Sequence, residues 1–136
     1  MIDFKEKQEL SLSEKFKKKG YLIFQSDNLE SLNYLREAIV KNICKICKLK
    51  KPTRNYYEEF LNNFHKKIKL KHLNNIRLKL INELNKDKNY RKNYFLTSKK
   101  ILYKLVGNEL SMQNRINLSI QLPGDSHYSF PWIIFQ

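Results

Sequence analysis

The chain has 136 residues, of which 41% are hydrophobic and 12% aromatic, with only three Gly and three Pro. This composition excludes a disordered or collagen-like chain, and a domain of this length can bury roughly 65–70% of the surface of its unfolded chain. The N-terminal residues include acids and no apolar run, and no window reaches the ~18 apolar residues of a membrane span. The sequence therefore predicts no secretory signal, no membrane partner and a cytoplasmic location.

The net charge of +14 has two explanations. One is a nucleic-acid partner whose phosphates are neutralised by lysine-rich faces, such as the one that carries Lys66, Lys67, Lys69 and Lys71. The other is codon bias, because 22 of the 27 basic residues are Lys and the chain also holds fifteen Asn and thirteen Ile, all encoded by A/T-rich codons. Arg, which makes the bidentate contacts to phosphate and guanine, is scarce, and this favours codon bias.

The first third of the chain predicts a helix, a strand and a second helix. The segment up to Lys19 is charged and is expected to form a short, weakly packed helix or arm. Gly20 and the four apolar residues after it indicate a short strand, and Asp27 with Glu30 forms a capping box for the next helix, which ends at about Cys47. The apolar stripe of that helix consists of Leu29, Leu32, Leu35, Ile39, Ile43 and Ile46.

Three further helices are predicted after Pro52, which cannot continue a helix. Their apolar positions recur at helical spacing and end at Gly107, a typical C-terminal stop. The second stripe is Tyr57, Phe60, Leu61, Phe64 and Ile68; the third is Leu73, Ile76, Leu80, Ile81 and Leu84; the fourth, in a single helix over residues 90–106, is Tyr94, Ile101, Leu102, Leu105 and Val106.

The pattern changes to a period of two in "RINLSIQL". There Ile116, Leu118 and Ile120 alternate with polar residues, which predicts a strand over residues 115–122 that is buried on one face. Pro123 and Gly124 end it. The predicted architecture is a helical layer that leads into the first strands of a sheet, and the apolar face of the strand must be covered by the helices or stay in contact with water.

Cys44 and Cys47 form the only Cys-x-x-Cys pair. A structural zinc site usually needs two such pairs, and a redox pair usually gains thiolate character at a helix N-terminus, whereas this pair falls near a predicted helix end. We therefore expect two incidental helix cysteines.

The histidines His65, His72 and His127 lack the spacing of metal ligands. His65 and His72 are seven residues apart rather than four, and the residue two positions after His127 is Ser129, so no His-x-Asp half-site is formed. The chain also has no Gly-rich phosphate loop and no nucleophile elbow. Local motifs therefore identify no active site.

Two stretches of the chain resemble a known family. "LNNFHKKIKLKHLNNIRLKLINELNKD" and, more specifically, "LVGNELSMQNRINLSIQLPGD" are similar to the N-terminal half of the non-haem Fe(II), 2-oxoglutarate-dependent oxygenases related to phytanoyl-CoA dioxygenase. The branch found in bacterial surface-carbohydrate biosynthesis clusters is the most similar. The resemblance covers residues 20–132.

The resemblance implies an α+β fold: a helical N-terminal layer that leads into the first strands of an incomplete double-stranded β-helix, or jelly roll. In one incomplete domain, residues 20–110 would be mostly helical and residues 113–136 would start the β-helix core. Family members hold iron with a His-x-Asp motif and a distant His. This motif is expected at Ile133 and Phe135, whose side chains cannot bind iron.

The resemblance therefore implies no catalytic or metal-binding residue in this chain and no bound cofactor, although the complete family enzyme uses Fe(II), 2-oxoglutarate and a small-molecule substrate. The expected function is that of an N-terminal oxygenase fragment, ancestrally hydroxylating a sugar or another small polar molecule and inactive as it stands, as a frameshift or early stop would produce. Asn117 and Gln121 are the candidate residues facing the cosubstrate, and the solvent face of an edge strand is the alternative. An unpaired sheet edge would allow self-association.

Overall fold

This computed structural model describes residues 7–26, 28–106 and 110–120. Helices make up 71% of the described chain, which contains no β-strand. Its six α-helices are α1 (Lys7–Lys19), α2 (Leu29–Cys47), α3 (Tyr57–Asn62), α4 (Leu73–Lys86), α5 (Lys88–Leu96) and α6 (Lys99–Val106). Short 3-10 turns at Arg54–Tyr56, Phe64–Lys67 and Leu70–His72 flank α3 and lead into α4.

The core lies between α2 and the helices that pack on it, which are α3, α4 and α5. Helix α1 lies at the edge of the fold, where it packs on α6, and α6 in turn contacts α5. The five most completely buried large side chains all come from α2 and α4: Val40, Ile43, Leu73, Leu80 and Leu84. This confirms α2 and α4 as helices that each bury an apolar stripe.

The α+β fold class is wrong for the described residues, because the part of the predicted strand over residues 115–122 that the structure describes does not form a strand. Residues 115–120 adopt no regular secondary structure, and residues 121 and 122 lie outside the described residues. A strand needs a second backbone to complete its hydrogen-bond ladder. Here side chains of the helices form hydrogen bonds with backbone groups of this segment. The sheet edge expected from the sequence is therefore absent from this part of the chain.

The strand predicted after Gly20 is also absent. The Gly20 amide donates a 2.7 Å hydrogen bond to the Phe16 carbonyl, and Gly20 has a φ of +75°. A left-handed glycine of this kind ends a helix, and so Gly20 stops α1. The following residues run to Ser26, whose hydroxyl donates to the Thr97 carbonyl at 2.8 Å.

Helix α2 begins one residue later than the predicted capping box. Asn28 is its N-cap, and the Asn28 side chain accepts a 3.0 Å hydrogen bond from the Ser31 amide. Asp27 lies outside the described residues. Leu29, expected in the buried stripe, is 65% exposed, whereas Ser31 in the same first turn is buried. The helix ends at Cys47 as predicted, with Lys48 in the left-handed conformation as its C-cap.

Two of the predicted helices are divided by turns. The helix predicted from the second apolar stripe stops at Asn62, and the chain continues as a 3-10 turn. Ile68, the last residue of that stripe, is extended. The fourth is split at Thr97, whose hydroxyl donates a 2.7 Å hydrogen bond to the Tyr94 carbonyl in the turn between α5 and α6. The predicted stop, Gly107, lies outside the described residues.

Candidate functional site

The candidate site is the place where residues 110–120, which we call the anchored segment, cross α4 and α5. Ile116 is only 8% exposed, and Leu118 and Ile120 pack against the core while Asn117 and Ser119 between them are exposed. The alternation predicted from the sequence is therefore observed. The apolar face of this segment therefore packs on the core, with Ile116 buried and Leu118 and Ile120 partly buried.

Three helix side chains hold the backbone of the anchored segment. Asn85 of α4 accepts a hydrogen bond from the Ile116 amide and donates one to the Ile116 carbonyl, each 2.8 Å long. Arg77 of α4 donates to the Ile120 carbonyl through Nε, at 2.8 Å, and through Nη2. Arg91 of α5 donates to the carbonyls of Met112, at 3.0 Å, and Asn114, at 3.3 Å. The side chain of Asn85 thus takes the place of a neighbouring strand's peptide group.

These anchoring residues were not identified from the sequence, although one of them has a detectable signal. Arg77 lies three residues before Leu80 and seven before Leu84, both buried, and so a charged residue occupies the apolar face of α4. An Arg at such a position is expected to find a hydrogen-bond partner, since burying an unpaired charge is costly. Asn85 gives no such signal, because it lies in a polar stretch of the sequence.

Asn117, one of the two candidate cosubstrate residues, is exposed on the outer face of the anchored segment. The described residues provide no hydrogen-bond partner for its amide and no neighbouring group that converges on it. Asn117 therefore faces solvent on a segment that forms no strand. Gln121, the other candidate, lies outside the described residues, and so the structure does not bring the two together.

The histidines form no visible metal site. Within the described residues, no group of three His, Cys, Asp or Glu side chains could hold an ion. His65 Nδ1 lies 3.1 Å from the carbonyl oxygen of Asn62, in the turn after α3, and His72 is exposed. His127, Ile133 and Phe135 lie outside the described residues.

Cys44 and Cys47 occupy the C-terminal part of α2 and are both free thiols. Burial raises the pKa of each thiol above its ordinary value. The Cys44 thiol lies 3.8 Å from the carbonyl oxygen of Lys50, a long contact for this weak donor. An activated redox pair needs the opposite shift, toward the thiolate.

We expect both thiols to react slowly with iodoacetamide at neutral pH, more slowly than free cysteine, because only the thiolate is a nucleophile. Cys44 should be the slower of the two because it is buried, whereas Cys47 is partly exposed. Mass spectrometry of the two alkylated peptides over time measures both rates. A Cys47 rate above that of free cysteine at pH 7 would contradict this assignment and restore the redox interpretation.

A groove of about 470 Å³ lies between α2 and the end of α4. Several of its polar side chains pair with one another: the Lys45 and Lys86 ammonium groups both contact the Glu83 carboxylate, and the Tyr34 hydroxyl donates to Asp87 at 2.7 Å. The hydrogen bond to Asp87 is also the main cause of a raised Tyr34 pKa. Because these charges pair with one another, the groove presents no free charged group of α4 to a ligand.

Hydrogen bonds from Lys86 and then Lys45 lower the pKa of Glu83 from 4.5 to about 2. The resulting stabilisation should be fully present above pH 4.5 and lost as the pH falls toward 2, since the unfolded state then binds the proton first. NMR titration of the Glu83 carboxyl carbon should give a midpoint near 2 that rises in the Lys86→Met variant and at high salt. A midpoint above 4 in the unaltered chain would show that these exposed lysines do not hold the carboxylate in solution.

The lysines of the nucleic-acid hypothesis lie in the turns between α3 and α4, where Lys66, Lys67, Lys69 and Lys71 are all exposed. Lys67 lies over the ring of Phe60, 5.8 Å from its centroid, but that ring is buried and offers no stacking surface.

None of the described helices is both long enough and apolar enough to cross a bilayer. No family model, curated protein or solved structure matches the chain.

Proposed function

We propose that the chain is the N-terminal helical portion of a 2-oxoglutarate- and Fe(II)-dependent oxygenase-like protein, whose ancestral reaction hydroxylates a sugar or another small polar molecule. One observation carries the proposal: the two stretches that resemble the family contact each other. Helix α4 contains "LNNIRLKLINELN", and its Arg77 and Asn85 hold the backbone of "RINLSI" at Ile120 and Ile116. Segments far apart in the sequence are thus joined by specific hydrogen bonds.

In this proposal α4 and α5 are a scaffold that fixes where the chain leaves the helical layer. The described residues contain no group of three His, Cys, Asp or Glu side chains that could hold an ion, and the positions expected to carry the His-x-Asp motif hold Ile133 and Phe135. In the proposed complete protein, iron binding and 2-oxoglutarate turnover would come from residues other than those described here. The role of this chain's own residues is structural, namely to cover one face of residues 110–120 and to hold their backbone.

The DNA that encodes the chain provides the first test. Read in all three frames from codon 133 onward, it should contain His-x-Asp, followed by a later His and an Arg over about a hundred further codons, enough for a domain of ordinary size. Stop codons throughout every frame would contradict the explanation that a frameshift placed Ile133 and Phe135 where the family has His-x-Asp.

The second test is biochemical and compares two proteins. The chain itself should neither consume 2-oxoglutarate nor retain stoichiometric Fe(II), because Ile133 and Phe135 have no ligand atoms. A protein expressed from the restored frame should bind both. If the chain as it stands holds iron that is lost on changing His65, His72 or His127, the assignment of the metal site is wrong.

A second candidate function is nucleic-acid binding, favoured by the exposure of Lys66, Lys67, Lys69 and Lys71. Binding through these residues would be electrostatic and would weaken steeply with salt, with little sequence preference. Fluorescence anisotropy with duplex and single-stranded oligonucleotides at several salt concentrations distinguishes the two candidates. The oxygenase proposal predicts that the Lys66→Glu and Lys69→Glu variants lose no more oligonucleotide binding than variants of other exposed lysines.

A further inference from the structure

Exposed apolar side chains concentrate at one edge of the fold. Ten large hydrophobic side chains are exposed among the described residues, and six of them belong to residues 16–24 or to α6. These six are Phe16, Tyr21, Ile23, Phe24, Tyr103 and Val106. We call residues 16–24 together with α6 the basic apolar surface. Its most exposed member is Ile23, at 85%, and Phe24 beside it is 46% exposed.

The same surface is strongly basic. Residues 16–24 contain three lysines and no acid, and α6 contains three lysines and no acid. Helix α1 packs on α6, which brings the two groups of lysines to the same edge of the fold. Among the described residues, the exposed acids nearest to residues 16–24 in the sequence are Glu14 and Glu30, and the acids Asp27 and Glu109 lie outside the described residues.

We propose that the basic apolar surface binds the face of an anionic lipid bilayer. Ile23 and Phe24 enter the headgroup region, and Lys17, Lys18 and Lys19 contact the lipid phosphates. Lysines next to exposed apolar side chains combine the two attractions that hold a peripheral protein on such a membrane. This contact needs no spanning helix, and it replaces the expectation of no membrane partner, which rested on the absence of a span. It does not depend on the oxygenase proposal.

The chemistry of the surface favours lipid over nucleic acid. Single-stranded nucleic acids are held by aromatic rings on which bases stack, and by Arg at base edges and phosphates. The most exposed side chain here is Ile23, at 85%, an aliphatic group that has no ring face for a base, and the four aromatic side chains of the surface are less exposed, at 36–58%. The cations of the surface are all lysines. An aliphatic side chain that projects among lysines is suited to an interface with an apolar interior and an anionic face.

Sedimentation with vesicles tests this assignment. The chain should bind vesicles in which phosphatidylglycerol replaces about a third of the phosphatidylcholine, and not vesicles of phosphatidylcholine alone, with binding weakened by salt. The triple variant K17E/K18E/K19E should bind about a hundredfold more weakly, at about 1 kcal/mol for each lysine. Ile23→Asp should cost about tenfold or more.

Two matched controls separate this surface from the net charge and from general hydrophobicity. K66E/K67E/K69E changes the net charge by the same amount in turns that contact α3 rather than α1 or α6. Leu78→Asp adds the same acid at a position on α4 that is 61% exposed. Both should bind the anionic vesicles within about fivefold of the unaltered chain, since charges beyond a Debye length of about 10 Å contribute little. Circular dichroism confirms that each variant keeps its helices.

Three outcomes would overturn the proposal. The first is an equal loss in the two triple variants, which would make the attraction a property of net charge alone. The second is no binding to the anionic vesicles at an ionic strength near 0.1 M. The third is tight binding of a single-stranded oligo-deoxythymidine that Ile23→Asp or Phe24→Asp abolishes, which would assign the surface to nucleic acid.

Discussion

Replacing Leu80 with alanine should lower the free energy of unfolding by about 2–5 kcal/mol. Leu80 is fully buried, with 0% exposure, and it belongs to the cluster formed by α2, α3, α4, α5 and the anchored segment. The truncation removes buried methyl groups and leaves a cavity that the rigid helices on either side can fill only in part. Urea denaturation followed by circular dichroism at 222 nm, a helix signal, measures the change.

Leu78→Ala is the matched control, because Leu78 lies on the same helix and is 61% exposed. It should change the free energy of unfolding by no more than about 0.5 kcal/mol. Similar, small effects at both positions would mean that α4 does not pack in solution as it does in the structure. A broad unfolding curve with no clear midpoint would likewise show that the helices form no cooperative core.

Replacing Arg77 with methionine should destabilise the chain by about 1.5–3 kcal/mol, the usual value for a hydrogen bond to a charged group. Methionine keeps much of the side-chain volume but provides no donor for the Ile120 carbonyl, so that this half-buried carbonyl loses its guanidinium partner. The contact of Arg77 with Asn74, at 3.0 Å, is lost as well. The C-terminal part of the anchored segment should then separate from α4.

Hydrogen exchange measured by mass spectrometry locates this effect. Peptides that cover residues 112–120 should exchange faster in Arg77→Met, while peptides from α2 should exchange faster only in proportion to the global loss of stability. Arg115→Met is the control, because Arg115 is exposed and its 2.7 Å hydrogen bond goes to the side chain of Asn82. If Arg77→Met leaves exchange over residues 112–120 unchanged, the guanidinium does not hold the segment, and the observation that supports the oxygenase proposal is lost.

Arg is scarce in this chain, and most of its Arg side chains make contacts at the anchored segment. Only five of the 27 basic residues are Arg, and three of these five bond within the contact between the anchored segment and α4 or α5. The planar guanidinium can donate to two acceptors at once, which Lys cannot match in geometry. Arg77 uses Nε and Nη2 on one carbonyl, and Arg91 reaches two carbonyls. Lys supplies the net charge, whereas Arg supplies fixed contacts.

The sequence by itself determined where the longer helices lie. The recurrence of apolar residues every three or four positions predicted α2 and α4 correctly, because this spacing forms a stripe only in a helix and both stripes are long. Pro52 correctly marked the break after α2. The alternation at Ile116, Leu118 and Ile120 likewise predicted which side chains of the anchored segment face the core.

Only the tertiary structure decided whether that alternating segment becomes a strand. The pattern fixes which face is buried, but a strand also requires a second backbone, and the sequence does not say whether a backbone or a side chain will pair with the peptide groups. Asn85 and Arg77 are distant in sequence from Ile116 and Ile120, so their hydrogen bonds arise only when α4 is packed. The apolar periodicity likewise predicted one continuous helix where the structure has a turn at Thr97. Ser26, which is distant in sequence, contacts this turn through a hydrogen bond. Local pattern thus set the buried faces, and long-range contacts set the backbone partners.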